Sequence, residues 1–310
     1  MTTETGIIAR LRRIATDPAA RGLADDAALL NGLVITHDTI AEGVHFLPTD
    51  PPASVGWKLV AVNLSDLAAK GARPRAALLS MCIGDSEWDE AFLDGIEAAC
   101  ESYGLALIGG DTIALPAGAA RVLGLTAIGD AGERVPSRAG GRPGDLLWIA
   151  GTLGDSSLGL RHLQDDPEAT GFLVDKYRRP VPLLADGEVL AREANAIMDV
   201  SDGLLIDLKR LCDASGCAAE VDLGALPLSR AFIAERGQDR RARLFAATGG
   251  DDYALLAALP AGIDPLSLSL PADSTIAAIG RLTDGSGISL RDADGPVGLP
   301  ETLGYEHRRD

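Results

Sequence analysis

Apolar runs in this chain keep ending in aspartate beside glycine or serine, and that repetition constrains the fold more than any other feature. The segments are "GLADDAALL" (Asp25, Asp26), "VITHD" (Asp38), "VNLSDLA" (Asp66), "LIGGDT" (Asp111), "MDVSDG" (Asp199, Asp202) and "TGGDDY" (Asp251, Asp252). Asp and Gly suit turns and helix N-caps, so each segment alone reads as the exit of a buried element. Six such exits in one chain imply strands and helices that deliver carboxylates to a common region.

The elements alternate, which predicts an α/β or α+β fold. "GLVITHD" reads as a strand. "SVGWKLVAVNLSDLAAKGARP" reads as a helix with Ser54 as N-cap, Gly71 after its end and Pro74 beyond. A second helix, "WDEAFLDGIEAACESYG", precedes "LALIGGDT", expected to be a buried strand, and "RVLGLTAIGD", another strand. A break rich in Gly, Pro and Arg follows at 133–145. It divides the chain into an N-terminal domain over residues 1–135 and a C-terminal α/β domain over 136–310. The second half restarts with "LLWIAG", a glycine loop and the helix "SSLGLRHL"; a Pro-punctuated loop then leads to a helix from Glu188. "IMDVSDGLLIDLKRLCDASG" is a strand, an acidic turn and a helix, and "CAAEVDL", "DDYALLAALP" and "STIAAIGRLT" read as strands. "DGSG" and "DADG" in the tail read as hairpin turns.

Charge narrows the functional classes. Forty-five acids against 28 bases give a net charge of −17, which argues against a nucleic-acid or anionic-membrane surface. Four cysteines (Cys82, Cys100, Cys212, Cys217) form no C-x-x-C pair and have no companion histidines, so they read as free thiols and not as a zinc site. "MTTETGIIARLRRIA" reads as an amphipathic helix and not as a signal peptide, and no run of 18 apolar residues occurs. The expectation is a soluble, cytoplasmic protein.

Asp66 is the most informative acid. Its neighbours are mostly apolar, with Asn63 three residues earlier on the same helical face. On a surface it would pair with Lys70; buried, it would need a cation. All-oxygen donors without a Cys/His cluster suit a hard ion, Mg²⁺ or Ca²⁺, and no EF-hand loop is present. Mg²⁺ meets proteins through a few carboxylates and substrate phosphates, so several such acids imply a phosphorylated ligand. No P-loop or protein-kinase motif occurs. "GTLGDSSLG" (151–159) lacks a lysine and reads as a plain turn before a helix.

Taken together, "ADDAALL", "THDTIAEGVHF", "NLSDLAAKGARP", "LIGGDT", "SRAGGRPGD", "MDVSDGLL" and "GGDDYALL" resemble, in order, the motifs of the thiamine-monophosphate kinase family. The resemblance runs from about residue 24 to 256. It implies the two-domain fold of the aminoimidazole ribonucleotide synthetase superfamily, with homodimers joined through the N-terminal domains. It also implies a reaction, ATP plus thiamine monophosphate giving ADP plus thiamine diphosphate, with several Mg²⁺ ions and K⁺ as a further candidate ion. By that resemblance Asp26, Thr36, His37, Asp38, Asp66, Asp111, Asp199 and Asp202 line the metals. Gly110, Asp111, Arg138 and Ser201 contact nucleotide, and His45, Asp251 and Tyr305 contact substrate. The chain departs from the pattern at Ala24 (usually Gly), His37 (Thr or Ser), Lys70 (Met) and Asp251 (Glu), and its "YEHRRD" lacks the usual Phe after His. Two other readings remain open on sequence: a sister ATP-dependent synthetase, and a non-catalytic cation- or nucleotide-binding relative. Against the first, residues 1–24 hold no cysteine and the chain does not end in one.

Overall fold

The computed structural model describes residues 4–116 and 118–307. Helix α1 (Glu4–Leu11) precedes a first α/β unit made of β1 (Ala28–Leu30), β2 (Leu33–Ala41), α2 (Pro52–Ala69), β3 (Arg73–Ile83), α3 (Ser86–Tyr103), β4 (Ala106–Ala114) and β5 (Val122–Asp130). Its five strands run in the order β1-β2-β5-β3-β4. Only β3 and β4 are parallel, joined by the crossover helix α3.

The second unit contains β6 (Leu146–Ala150), α4 (Asp155–Asp165), α5 (Phe172–Arg178), α6 (Leu184–Glu193), β7 (Ala196–Val200), α7 (Leu204–Ser215) and β8 (Ala218–Asp222). It continues through α8 (Arg230–Arg236), α9 (Arg240–Thr248), β9 (Ala254–Leu259), β10 (Ile276–Thr283), β11 (Gly287–Asp292) and β12 (Gly295–Val297). The seven-stranded order is β12-β11-β8-β10-β6-β9-β7.

Helix α2 is the hinge of the architecture. Almost every residue from Val55 to Ala69 is buried, because the helix is mostly apolar and lies between α3, β2 and β5 on one hand and α6 and β7 on the other. It begins two residues before Ser54. Pro52 takes the first turn, where its missing N–H costs nothing, and no side chain caps the helix. It ends in a Schellman turn: Gly71 adopts φ +60° while its N–H and that of Ala72 bond the carbonyls of Ala68 and Leu67. Asp66 therefore sits in the last turn and not in mid-helix.

Three other expectations change. Strand β4 is exposed along its whole length, not buried; it is the edge of its sheet, and nothing among the described residues covers it. Helix α6 starts at Leu184, just after Pro182, earlier than Glu188. "DADG" does join the β11–β12 hairpin, but "DGSG" does not join one: β8 lies between β10 and β11, so that connection steps over a strand. Among the described residues no helix is long and apolar enough to cross a membrane.

Candidate active site

A cavity of about 750 Å³ opens where the two units meet, lined among others by Asp26, Asp38, Asp66, Arg138, Asp199 and Asp202. Strand alternation explains the first side chains. On β2, Val34, Thr36 and Ile40 are buried, and Asp38 falls in the same phase, so Asp38 faces α2 and the cavity. His37 falls in the opposite phase. Its ring is exposed and lies between Thr126 and Thr39, with Nδ1 2.9 Å from Thr126 Oγ1 and Nε2 3.2 Å from Thr39 Oγ1. The His37 imidazole is not brought to the acidic cluster.

Helix α2 holds the cluster in place. Asn63 accepts from the Asp38 N–H at 2.9 Å and donates to Leu59 at 2.9 Å. Ser65 donates to Asp199 at 2.7 Å. Thr36 donates to Asp66, whose side chain is almost wholly buried. Asp199 comes from the fully buried strand β7, and Ser201 and Asp202 follow in the turn before α7. That turn is pinned by Asp207, which accepts the N–H groups of Ser201 and Asp202 at 3.1 and 3.0 Å. Arg210 bridges Asp202 at 2.5 Å and Asp207 at 2.7 Å. Asp207 and Arg210 escaped the sequence reading, although their spacing just after "SDG" places both on the first turns of α7 facing it.

The electrostatics divide the acids into two groups. Burial, then Asp38, Asp199 and Asp26, holds the Asp66 carboxyl well above the ordinary range. Asp199 is pushed up to about 8 by burial and Asp26, with Asp207 and Asp38 adding to the push. Asp38 rises to about 6 through burial, Asp26 and Asp202. Asp26 moves the other way: burial would raise it, but Lys70 and Arg138 outweigh that and lower it. Lys70 does not pair with the Asp66 carboxylate. Its ammonium, fully buried, reaches Asp25 at 2.6 Å and Asp26 at 2.8 Å.

Asp38, Asp66 and Asp199 are thus short of positive charge, while Asp26 and Asp202 beside them already meet Lys70, Arg138 and Arg210; the carboxylates together are a donor set that suits a hard divalent ion. Among the described residues no three His, Cys, Asp or Glu side chains already close on one metal position. An open ring fits an ion that keeps waters and shares its remaining positions with phosphate oxygens.

The far end of the cavity has a different character. His45 accepts the Ala41 N–H through Nδ1 at 3.1 Å, and burial lowers its pKa. Its ring lies 5.4 Å from that of His307, which meets Tyr305 edge-on at 5.0 Å. Asp251, held at φ +64°, accepts from Lys58 at 3.0 Å and from the Tyr253 hydroxyl at 2.9 Å. Lys58 is buried, also donates to the His45 carbonyl at 2.9 Å, and lies 4.0 Å over the Tyr177 ring. Lys58 and Lys70 escaped the sequence reading, because nothing local to a lysine on this helix marks the distant carboxylates that close around it.

The glycine loop before α4 is filled from inside the chain. Asp252 accepts the N–H groups of Gly154 at 2.6 Å and Ser156 at 3.3 Å, so those donors are unavailable to an outside anion. Arg138 donates to the Ala24 carbonyl at 2.8 Å and faces Asp26 at 3.5 Å. Gly110 and Asp111 are not brought to the cavity. They lie on β4, three strands from β2, a separation of about 14 Å. Gly110, at φ +157°, is required by the strand itself, since a Cβ there would stand 1.8 Å from the Leu79 carbonyl oxygen.

The two units define a class. Residues 24–131 match the AIR synthase related protein, N-terminal domain, and residues 142–293 match the AIR synthase related protein, C-terminal domain. The thiamine-monophosphate kinase of Salmonella typhimurium is 41% identical over 251 residues, covering 77% of this chain and 76% of that protein. That of Escherichia coli is 37% identical over 304 residues, 92% of this chain and 91% of its own. A solved structure of AaThiL complexed with AMPPCP and TMP superposes with a TM-score of 0.85 at 31% identity, covering 99% of this chain and 97% of that one. The chain belongs to the thiamine-monophosphate kinase family.

Proposed function

We propose that the protein transfers the γ-phosphoryl group of ATP to the phosphate of thiamine monophosphate, giving ADP and thiamine diphosphate. The relative bound to AMPPCP, an ATP analogue, and TMP carries this reading, because it covers almost the whole chain. The acceptor is a phosphate oxygen already ionised near neutral pH, so the reaction needs no strong general base. The obstacle is bringing two polyanions together, and a direct in-line transfer needs positioning and charge neutralisation.

Asp38, Asp66, Asp199 and Asp202 would hold Mg²⁺, which when bound supplies the positive charge that the ATP phosphates and the acceptor phosphate require. The chain's own groups do the positioning. Ser65 and Thr36 fix the carboxylates of Asp199 and Asp66 by donating to them, and Asn63 fixes the backbone at Asp38. Arg138 stands at the Asp26 edge, where a phosphate could receive its guanidinium. At the other end Asp251 complements the cationic thiazolium, and Tyr305 with His45 offers ring faces to an aromatic ligand.

The homodimer belongs to this reading. The exposed edge β4 and the open sheet face bearing Leu78, Leu107 and Ile113 suit a second copy, which could carry Gly110 and Asp111 to the nucleotide end of its neighbour's cavity. We place the protein in the cytoplasm, where ATP is available and the four free cysteines stay reduced. The test is incubation with ATP, Mg²⁺ and thiamine monophosphate. Thiamine diphosphate should form; folded protein that makes none at any Mg²⁺ concentration would refute the proposal.

A further inference from the structure

The side chain at position 70 ends where a metal ion would otherwise be wanted. Lys70 caps the C-terminus of α2 and its ammonium is fully buried between the Asp25–Asp26 loop and strand β7. Its three N–H groups have three acceptors: Asp25 Oδ1 at 2.6 Å, Asp26 Oδ2 at 2.8 Å and the Ile197 carbonyl at 3.1 Å. Asp25 is buried too, and its other oxygen takes Arg21. The second oxygen of Asp26 faces Arg138 at 3.5 Å. Every carboxylate oxygen on this edge of the cavity therefore already meets a cation or an N–H donor of the chain.

Among the described residues Asp38, Asp66 and Asp199 have no such partner. Neutral hydroxyls donate to two of them, Thr36 to Asp66 and Ser65 to Asp199, and Asp38 is held through its backbone N–H, which Asn63 accepts. A buried carboxylate without a cation is costly, whereas one sharing an ammonium is not. The acidic cavity thus has a tethered lysine on one side, whereas on the other Arg210 reaches Asp202 and no cation among the described residues reaches Asp38, Asp66 or Asp199.

We infer that the Lys70 ammonium takes the place of one metal ion at the Asp25–Asp26 edge, so that this chain binds divalent ions only on the Asp38, Asp66, Asp199 and Asp202 side. The inference rests on the reading that the cavity holds divalent ions. It gives the departure from the family's usual methionine a physical meaning: a covalently attached cation cannot be diluted away, and it keeps the Asp26 edge formed when free metal is scarce.

The test counts ions without nucleotide or turnover. Full-length protein stripped by a chelator is titrated with Mn²⁺ alone, and free Mn²⁺ is read by electron paramagnetic resonance, for the wild type and for Lys70→Met. The variant should bind one more Mn²⁺ per chain than the wild type. Its melting temperature should fall in chelator and recover with Mn²⁺ by a larger margin than the wild type gains. Lys70→Gln, which keeps amide donors for Asp25 and the Ile197 carbonyl, gives the same reading if the methionine variant fails to fold. Equal, non-zero Mn²⁺ counts in wild type and variant would overturn the inference while leaving the divalent-ion reading intact. No Mn²⁺ bound by either would overturn both.

Discussion

Replacing Asp199 with asparagine should make the metal-free protein more stable at pH 8 while removing its activity. Asp199 lies on a fully buried strand among other carboxylates, and its pKa rises from 3.8 to about 8. A raised carboxyl pKa means that the folded state holds a proton the unfolded chain releases. Stability is therefore fully present below about pH 4 and declines as pH rises through the window from 3.8 to about 8. A shift of this size corresponds to roughly 5 kcal/mol. Asp38, Asp66 and Asp26 titrate with Asp199 as a set, so one asparagine should recover a share of about 1–3 kcal/mol. Ser65 can still donate to the asparagine carbonyl, so the packing around β7 is kept. The assay is thermal unfolding of both proteins in chelator at pH 5 and pH 8. In a chain of this size that share raises the melting temperature by roughly 2–5 °C at pH 8. The gain should be smaller at pH 5, where the wild-type carboxyl is protonated, and Mg²⁺ should narrow the pH 8 difference by stabilising the wild type more than the variant. An Asp199→Asn protein less stable than wild type at pH 8 in chelator would show that the carboxylates are not short of charge, and the reasoning would fail.

Other substitutions probe separate parts of the site. Asp66→Asn should lower turnover by at least about 10²–10³ with unchanged circular dichroism; near-normal turnover would return Asp66 to a scaffold role. Asp252→Ala strips the acceptor from the Gly154 and Ser156 N–H groups, and should cost about 2–4 kcal/mol in urea unfolding and loosen the loop before α4. Gly110→Ala forces a Cβ into the Leu79 carbonyl and should cost about 3 kcal/mol or more, read as a fall in the urea midpoint. A neutral result at Gly110 would mean that β4 shifts freely against β3.

The acidic exits were legible because a strand's end and a turn's composition are local facts. "VITHD" needed only period-two alternation and turn chemistry to be placed, and "MDVSDG" a short apolar run closed by an acidic turn. Alternation could also have separated His37 from Asp38, since neighbours on a strand face opposite ways, but only the β2–β5 pairing shows that the His37 face is open and carries Thr126. The edge strand "LALIGGDT" misled because its apolar content suits a covered strand, yet it stands exposed at the edge of its sheet. Lys58 and Lys70 were illegible for a deeper reason. A long cationic side chain in an apolar helix reads as a surface residue until the fold shows carboxylates from Asp25, Asp26 and Asp251, distant in sequence, closing around its tip. The register of β8 between β10 and β11 is likewise a tertiary fact, and no turn sequence encodes it.

The central claim is direct transfer between two phosphate chains within one acidic cavity. Its most direct measurement is a single turnover with ATP radiolabelled at the γ-phosphate, thiamine monophosphate and Mg²⁺. The label should appear in the terminal phosphate of thiamine diphosphate, one per ADP formed, with none attached to protein at any time point. Label released as inorganic phosphate without thiamine diphosphate, or held covalently on the protein before product appears, would contradict the account.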